Sequence, residues 1–194
     1  MKESKLQFSL VVPLYNEATN VKPLIDAVSK ALQQGSYELI LVDDGSTDST
    51  VAEAKKSLDK HTKLVCLQRN YGQSIAMAAG IDEAAAKYVV TLDGDLQNDP
   101  DDIIAMLDTL HAKGVDVVCG YRAKRQDKGF RTFPSWCANR LIVYFSGVDV
   151  KDYGCTLKLF KHSVAKQLTL YGELHRFIPI LCAINGAKFT QMPV

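Results

Sequence analysis

Over the first 120 residues the chain alternates between two hydrophobic rhythms. Five apolar, β-branched runs read as strands: "FSLVVPLY" (8–15), "YELILVDD" (37–44), "KLVCLQ" (63–68), "YVVTLD" (88–93) and "VDVVCGY" (115–121). Such near-continuous apolar runs suit strands covered on both faces. Between them the period lengthens to that of helices. Residues 20–35 place Leu24, Ile25, Val28 and Leu32 on one face, with Gly35 as the stop. Residues 46–60 offer Ser46 and Asp48 as turn or N-cap residues and a stripe of Val51, Ala54 and Leu58. Residues 72–86 are rich in small side chains that permit close packing on a sheet, and 99–114 face Ile103, Ile104, Leu107 and Leu110 inward. Strand–helix alternation at this density predicts parallel βαβ units in a doubly wound α/β sheet.

After residue 121 the rhythm changes. Residues 121–140 hold six Lys/Arg against one Asp, with Tyr121, Phe130, Phe133 and Trp136 between them. Residues 134–147 read as a helix apolar around much of its circumference, suited to core packing or to a membrane interface. "DYGCTLKLFK" (152–161) alternates, with Cys155, Leu157 and Leu159 on one side, and predicts a strand. A helix over 173–187 and a short strand over 188–194 follow.

Composition narrows the class. At 194 residues, 47% hydrophobic and 23% charged, the chain has the profile of one soluble globular domain. A net charge of +1 argues against a nucleic-acid partner. The five cysteines have no paired spacing, which points to a reducing compartment, and Cys66 and Cys119 sit in apolar runs as small hydrophobes. The N-terminal apolar run is too short for a signal peptide, and no window has the length of a membrane span.

Candidate chemistry collects at strand ends, where open α/β sheets bind ligands. The first strand ends in Pro13, Tyr15, Asn16 and Glu17, the second in Asp43 and Asp44, the third in Gln68, Arg69 and Asn70. The fourth runs into "LDGDLQNDPDD", five aspartates in eleven positions. Asp99, Asp101 and Asp102 begin a helix, whose dipole relieves their charge. Asp93 and Asp95 precede it and share an edge if the strand continues to Asp95. With Gln97 they form a hard-oxygen set for Mg²⁺ or Mn²⁺. An EF-hand is excluded, because Asn98 stands where that loop needs Gly and Ile104 where it needs Glu. Neither a G-x-G-x-x-G dehydrogenase fingerprint nor a Walker A loop is present. A metal held beside further strand-end carboxylates suits a nucleotide diphosphate, whose departure it assists.

In order and spacing, "SLVVPLYNEATNVKPLI", "ELILVDDGSTDST", "QRNYGQSIAMAAGI" and "VVTLDGDLQNDP" resemble the motifs of GT-A fold (Rossmann-like), family 2 inverting glycosyltransferases. "GYRAKR", "DYGCTLKLFK" and "GELHRFIP" further resemble the polyprenyl-phosphate branch, which includes dolichol-phosphate mannose synthase. The resemblance implies a single catalytic domain, donor-binding to about residue 120 and acceptor-facing from 121 to 194. It implies that Pro13, Tyr15, Glu17, Asp43, Asp44, Gln73, Asp93 and Arg176 line the nucleotide-sugar site, with His175 nearby. Asp93, Asp95 and Gln97 would hold the metal, Mg²⁺ or Mn²⁺. Arg122, Arg125 and Arg131 would clamp the acceptor phosphate, Arg122 and Arg131 also serving catalysis. Asp152 would be catalytic, standing where the family has its candidate base; because the acceptor phosphate is already ionised, its alternative role is to orient the acceptor or the sugar.

The expected partners are a nucleotide sugar, UDP-linked in preference to GDP-linked, and an undecaprenyl or dolichyl phosphate at a membrane surface. A homo-oligomer or a membrane-spanning partner segment is also implied, because members of this branch continue past a strand like "KFTQMPV" into transmembrane helices. The resulting expectation is a cytoplasmic protein peripheral to a membrane. A family 2 transferase with a saccharide or protein acceptor and a catalytically silent nucleotide-sugar module are the competing readings.

Overall fold

The computed structural model describes residues 6–33, 35–122 and 148–194. Arg125, Arg131, Trp136, Cys137 and the helix expected over 134–147 lie outside these. The strands are β1 (Phe8–Leu14), β2 (Tyr37–Asp43), β3 (Thr62–Cys66), β4 (Tyr88–Thr91), β5 (Val117–Tyr121), β6 (Lys158–Lys161) and β7 (Phe189–Pro193). The helices are α1 (Val21–Ala31), α2 (Thr50–Ser57), α3 (Gln73–Glu83), α4 (Asp102–Lys113), α5 (His162–Ala165) and α6 (Ile178–Ile184), the last entered through a 3-10 turn at Leu174–Phe177. One seven-stranded sheet runs in the order β3-β2-β1-β4-β6-β5-β7. Its neighbours are parallel except at β6, which lies antiparallel to both β4 and β5.

Strand alternation sends side chains into two cores. Leu10, Val12 and Leu14 of β1 join Leu24 and Val28 of α1, Ala54 of α2, and Ile103 and Leu107 of α4 on one face. Val11, with Ile40 and Val42 of β2, packs on the other against Ala76, Met77 and Ile81 of α3 and Ile178 and Cys182 of α6. The small residues of α3 permit its close approach: a Cβ on Gly80 would lie 2.4 Å from Val11 Cγ1. Cys119, Cys155 and Cys182 are buried free thiols, and burial pushes those of Cys119 and Cys182 up to about 12.

Several expectations need correction. Only 158–161 of the strand expected over 152–161 pairs, although Cys155, Leu157 and Leu159 do share one core. Cys66 is exposed, because β3 is an edge strand with neighbours on one side only. Leu58 is 43% exposed, since α2 ends at Ser57 and Leu58 is already extended. Ile104 is 44% exposed, because the buried face of α4 runs through Ile103, Met106, Leu107 and Leu110. Among the described residues no helix is long and apolar enough to cross a membrane.

At the end of the sheet away from the aspartate-rich loops, the carboxylate of Glu38 ties three segments together. It accepts from Ser9 Oγ at 2.6 Å and Ala85 N at 2.8 Å and pairs with Lys63 Nζ at 2.6 Å. Burial acts to raise its pKa, but the bonds from Lys63, Ser9 and Ala85 prevail and hold it below the ordinary 4.5. A depressed carboxylate stabilises the fold above its unfolded pKa, and that stability is lost as pH falls through the folded value. Glu38→Gln is therefore expected to cost about 1–2 kcal/mol at pH 7. Melting curves from pH 7 to 3 should show the gap to wild type closing below the ordinary glutamate value; a gap constant with pH would remove the electrostatic explanation.

Candidate active site

The chain departs from β1 in opposite directions to reach β2 and β4, so a crevice opens beyond the carboxyl ends of these strands. A cleft of about 390 Å³ occupies it, lined by Pro13, Tyr15 and Glu17 after β1, Asp44 after β2, and Asn70, Gly72 and Gln73 at the start of α3. Asp93, Gly94 and Asp95 after β4 complete the lining.

Its walls are loops stitched to one another. Asn16 adopts a left-handed φ of 57°. Its Oδ1 accepts from Thr47 N at 2.9 Å, and its N–H donates to Ser46 Oγ at 2.9 Å. Glu17 N donates to Thr50 Oγ1 at 2.8 Å, while Asp48 accepts from Thr50 and from Ala18 N. Ser46 and Asp48 thus join two loops, and Asp48 Oδ1 also accepts from Thr50 N at 2.9 Å, the first residue of α2, as an N-cap side chain does. Asp44 receives Tyr71 N at 2.7 Å and Gly72 N at 2.8 Å, anchoring the loop after β3. Asp43 Oδ2 accepts from Gly45 N and Ser46 N at 3.1 Å each, whereas its buried Oδ1 has no hydrogen-bond partner among the described residues.

Gly45 sits where these loops touch. Its φ is +71°, and a Cβ there would lie 2.4 Å from the backbone carbon of Arg69. Neither the conformation nor the space admits a side chain. Gly45→Ala is expected to cost about 2 kcal/mol, a fall in Tm of roughly 4–8 °C for a domain of this size. A melting point within 1 °C of wild type in scanning calorimetry would contradict this packing.

Asp93 and Asp95 do meet, by a different route from the one expected. β4 ends at Thr91, so no strand alternation aligns them. A turn does so, with Gly94 pressed on the end of β1: a Cβ would stand 2.5 Å from Leu14 Cδ2. Leu96 continues the turn at a φ of 64°. Asp93 Oδ1 accepts from Gln73 Nε2 at 2.7 Å, and Oδ2 from the Thr156 hydroxyl. Burial raises the Asp93 pKa and Asp95 adds repulsion; Thr156, Lys158 and Gln73 oppose both without cancelling them. Asp95 receives one bond, from Gln97 N at 3.1 Å to Oδ1. Two crowded carboxylates on an open cleft fit a hard divalent cation. Gln97 does not line this cleft; it faces a second hollow with Pro23, Leu24, Ala27, Leu96 and Pro100.

The later aspartates are less relieved than expected. Asp101 immediately precedes α4 without a side-chain cap bond. The Asp102 pKa is raised, by burial first and then by Asp99 and Asp101.

In the segment before β6, Asp152 is 6% exposed and holds Arg122 through Nε at 2.8 Å and Nη2 at 3.1 Å. It also accepts from Arg122 N at 3.3 Å and Gly154 N at 3.0 Å. Burial acts to raise its pKa, but the Arg122 charge and these bonds prevail and lower it. The guanidinium rests on Gly154, where a Cβ would stand 2.9 Å from Nη2. From there the chain reaches Thr156 and the Asp93 carboxylate. His175 is buried and fastened to α3, its Nδ1 2.9 Å and its N–H 3.0 Å from Ser74 Oγ. Arg176 is largely exposed, lies off the cleft and pairs with Glu173 at 3.3 Å.

Of the residues singled out from sequence, Pro13, Tyr15, Glu17, Asp44, Gln73, Asp93 and Asp95 come together in the cleft. Asp43 stands behind it, Arg122 and Asp152 form a separate pair, and Arg125 and Arg131 lie outside the described residues. Thr156 and Lys158 were not foreseen, because only the antiparallel register Thr91↔Lys158 brings "TLK" beside Asp93.

The chain is 49% identical over 197 residues to dodecaprenyl-phosphate galacturonate synthase of Rhizobium johnstonii, covering 97% of this chain and 58% of that protein. It is 37% identical over 191 residues to undecaprenyl-phosphate 4-deoxy-4-formamido-L-arabinose transferase of Pseudomonas fluorescens, covering 96% and 56%. The chain thus spans somewhat over half the length of these relatives. Among solved structures it resembles glucosyl-3-phosphoglycerate synthase from Mycobacterium tuberculosis in complex with Mn²⁺, UDP and phosphoglyceric acid. The TM-score is 0.71 at 18% identity, covering 97% of this chain and 68% of that one. It also resembles S. aureus TarS in complex with UDP-GlcNAc, with a TM-score of 0.70 at 15% identity, covering 96% and 56%. These structures share the GT-A fold. The model of the family described as Glycosyl transferase family 2 matches residues 9–169, and the chain belongs to that family.

Proposed function

We propose that this chain is the catalytic domain of an inverting glycosyltransferase that moves a sugar from a nucleotide diphosphate to a polyprenyl phosphate. The observation that carries the reading is the cleft itself. It sets the loops after β1 and β2 opposite the Asp93–Asp95 pair, and Thr156 links that pair to the segment bearing Asp152. The two curated relatives are named for transfer to dodecaprenyl and undecaprenyl phosphates, and the two solved neighbours were crystallised with UDP or a UDP-sugar. A UDP-sugar is therefore the favoured donor. In this reading residues up to about 120 bind donor, those from 121 to 194 face acceptor, and the protein works at the cytoplasmic face of a membrane.

Each side chain then has a task. Pro13, Tyr15 and Glu17 border the nucleoside, and Asp43, behind the cleft, shapes its wall by accepting from Gly45 N and Ser46 N. Asp95, with Asp93 steadied by Gln73 and Thr156, would hold Mg²⁺ or Mn²⁺ on the diphosphate. Bound there, the cation neutralises the charge that develops on the leaving group. Asp152, saturated by hydrogen bonds and with a lowered pKa, is no base; it aims Arg122 at the anionic acceptor. The acceptor phosphate oxygen attacks the anomeric carbon in line, and the nucleoside diphosphate departs from the opposite face.

Calorimetric titration with UDP and GDP, each with and without Mn²⁺, tests the donor half, with metal-dependent UDP binding expected. Transfer to detergent-solubilised undecaprenyl phosphate tests the acceptor half. Product formed on a soluble saccharide but not on the lipid phosphate would overturn the acceptor assignment.

A further inference from the structure

Lys158 is a lysine buried to 1% exposure at the centre of the sheet. Its neighbours across β6 are Thr91 of β4 and Cys119 of β5. Its ammonium turns back to donate to the Cys155 carbonyl, toward the end of β4 where the acidic turn lies. Cys155, Leu157 and Leu159 face one core, which leaves Thr156 and Lys158 to the other side of the segment, and Thr156 bonds Asp93. Among the described residues no carboxylate forms an ion pair with Lys158. A buried cation with one carbonyl for a partner is expensive, and an apolar side chain would pack there at lower cost. The charge therefore calls for a reason beyond packing.

That reason lies in the field it exerts. Lys158 acts on Asp93 in the direction opposite to the repulsion from Asp95. Among the described residues no cluster of three or more His, Cys, Asp or Glu is placed to hold a metal ion. A buried ammonium behind Asp93 offsets part of the negative charge of the two carboxylates and weakens their attraction for a divalent cation. A diphosphate supplies both the missing charge and the missing oxygen ligands.

We propose that Lys158 is a built-in counter-charge that keeps Asp93 and Asp95 from holding a divalent cation on their own, so that cation and donor diphosphate bind tightly only together. This rests on the donor-binding reading above. It makes Lys158 a positioning residue that touches neither substrate nor metal.

The test is titration at pH 8 of Mn²⁺ alone, and of Mn²⁺ with saturating UDP, into wild type, Lys158→Met and Lys158→Arg. Wild type should bind Mn²⁺ at least tenfold tighter with UDP than without it. Lys158→Met should bind Mn²⁺ alone roughly tenfold tighter than wild type, with a smaller change when UDP is present. Lys158→Arg, which keeps the charge, should match wild type. Damage to the fold weakens binding, so a gain in affinity separates this role from a structural one. Unchanged or weaker Mn²⁺ binding by a folded Lys158→Met would overturn the inference. Should Lys158→Met not fold, the wild-type pair of titrations still decides, because equal Mn²⁺ affinity with and without UDP overturns it. Wild type that bound UDP with Mn²⁺ in no combination would instead overturn the donor reading on which it rests.

Discussion

Asp95→Asn is expected to abolish Mn²⁺-dependent UDP binding and to lower kcat for sugar transfer by about 10²–10³, the effect of losing roughly 3–4 kcal/mol of transition-state stabilisation. The substitution keeps the size of the side chain and removes its charge. Asp95 is only half-buried and receives one hydrogen bond, from Gln97 N to Oδ1, which the amide oxygen can still accept. The fold should therefore survive, with Tm within about 2 °C of wild type. The two measurements together separate a ligand from a structural residue. Undiminished metal-dependent UDP binding by Asp95→Asn would show that the cation is held elsewhere. A large loss of Tm would show that the turn after β4 depends on this carboxylate for its shape.

The legible parts of this molecule are those that local pattern determines. The runs that became β1, β2 and β4 are apolar throughout because α1, α2 and α4 cover one face and α3, α5 and α6 the other. The same rhythm located the cleft, since the polar residues after those strands converge at the change in chain direction. What the sequence concealed depends on pairing between distant segments. Nothing local announces that β6 inserts antiparallel between β4 and β5, and on that insertion rest the contact of Thr156 with Asp93 and the burial of Lys158. Leu58 and Cys66 misled for the converse reason: both extend apolar patterns, but one follows its helix and the other lies on an edge strand. Asp93 and Asp95 share the cleft, but strand alternation does not bring them there. A turn tight enough to require Gly94, with Leu96 in the left-handed region, gathers carboxylates that a strand ending at Thr91 could not.

Asp152→Ala carries the second large effect, and it should appear in stability and in acceptor use while sparing the donor. Among the described residues, the substitution removes the bonds from Arg122 N, Nε and Nη2 and from Gly154 N, and takes the Asp152 carboxylate from beside the Arg122 guanidinium. Breaking one side of a buried ion pair costs about 3–5 kcal/mol. The Arg122 side chain is 34% exposed, so solvent screening brings the expectation down to about 2–3 kcal/mol. For a domain of this size that lowers Tm by roughly 5–10 °C. The Asp152 pKa is depressed from its ordinary 3.8, so its contribution is full at pH 7 and is lost as pH falls through the folded value. The Tm difference from wild type should accordingly vanish in acid. Because Asp152 lies off the donor cleft, UDP affinity should stay within about twofold of wild type. Transfer to polyprenyl phosphate should fall by about 10²-fold in kcat/KM, since a guanidinium released from its carboxylate no longer presents its donors in fixed array. Equal losses of donor affinity and acceptor use would instead make the Arg122–Asp152 pair a support for the whole cleft, with no separate part in aiming the acceptor.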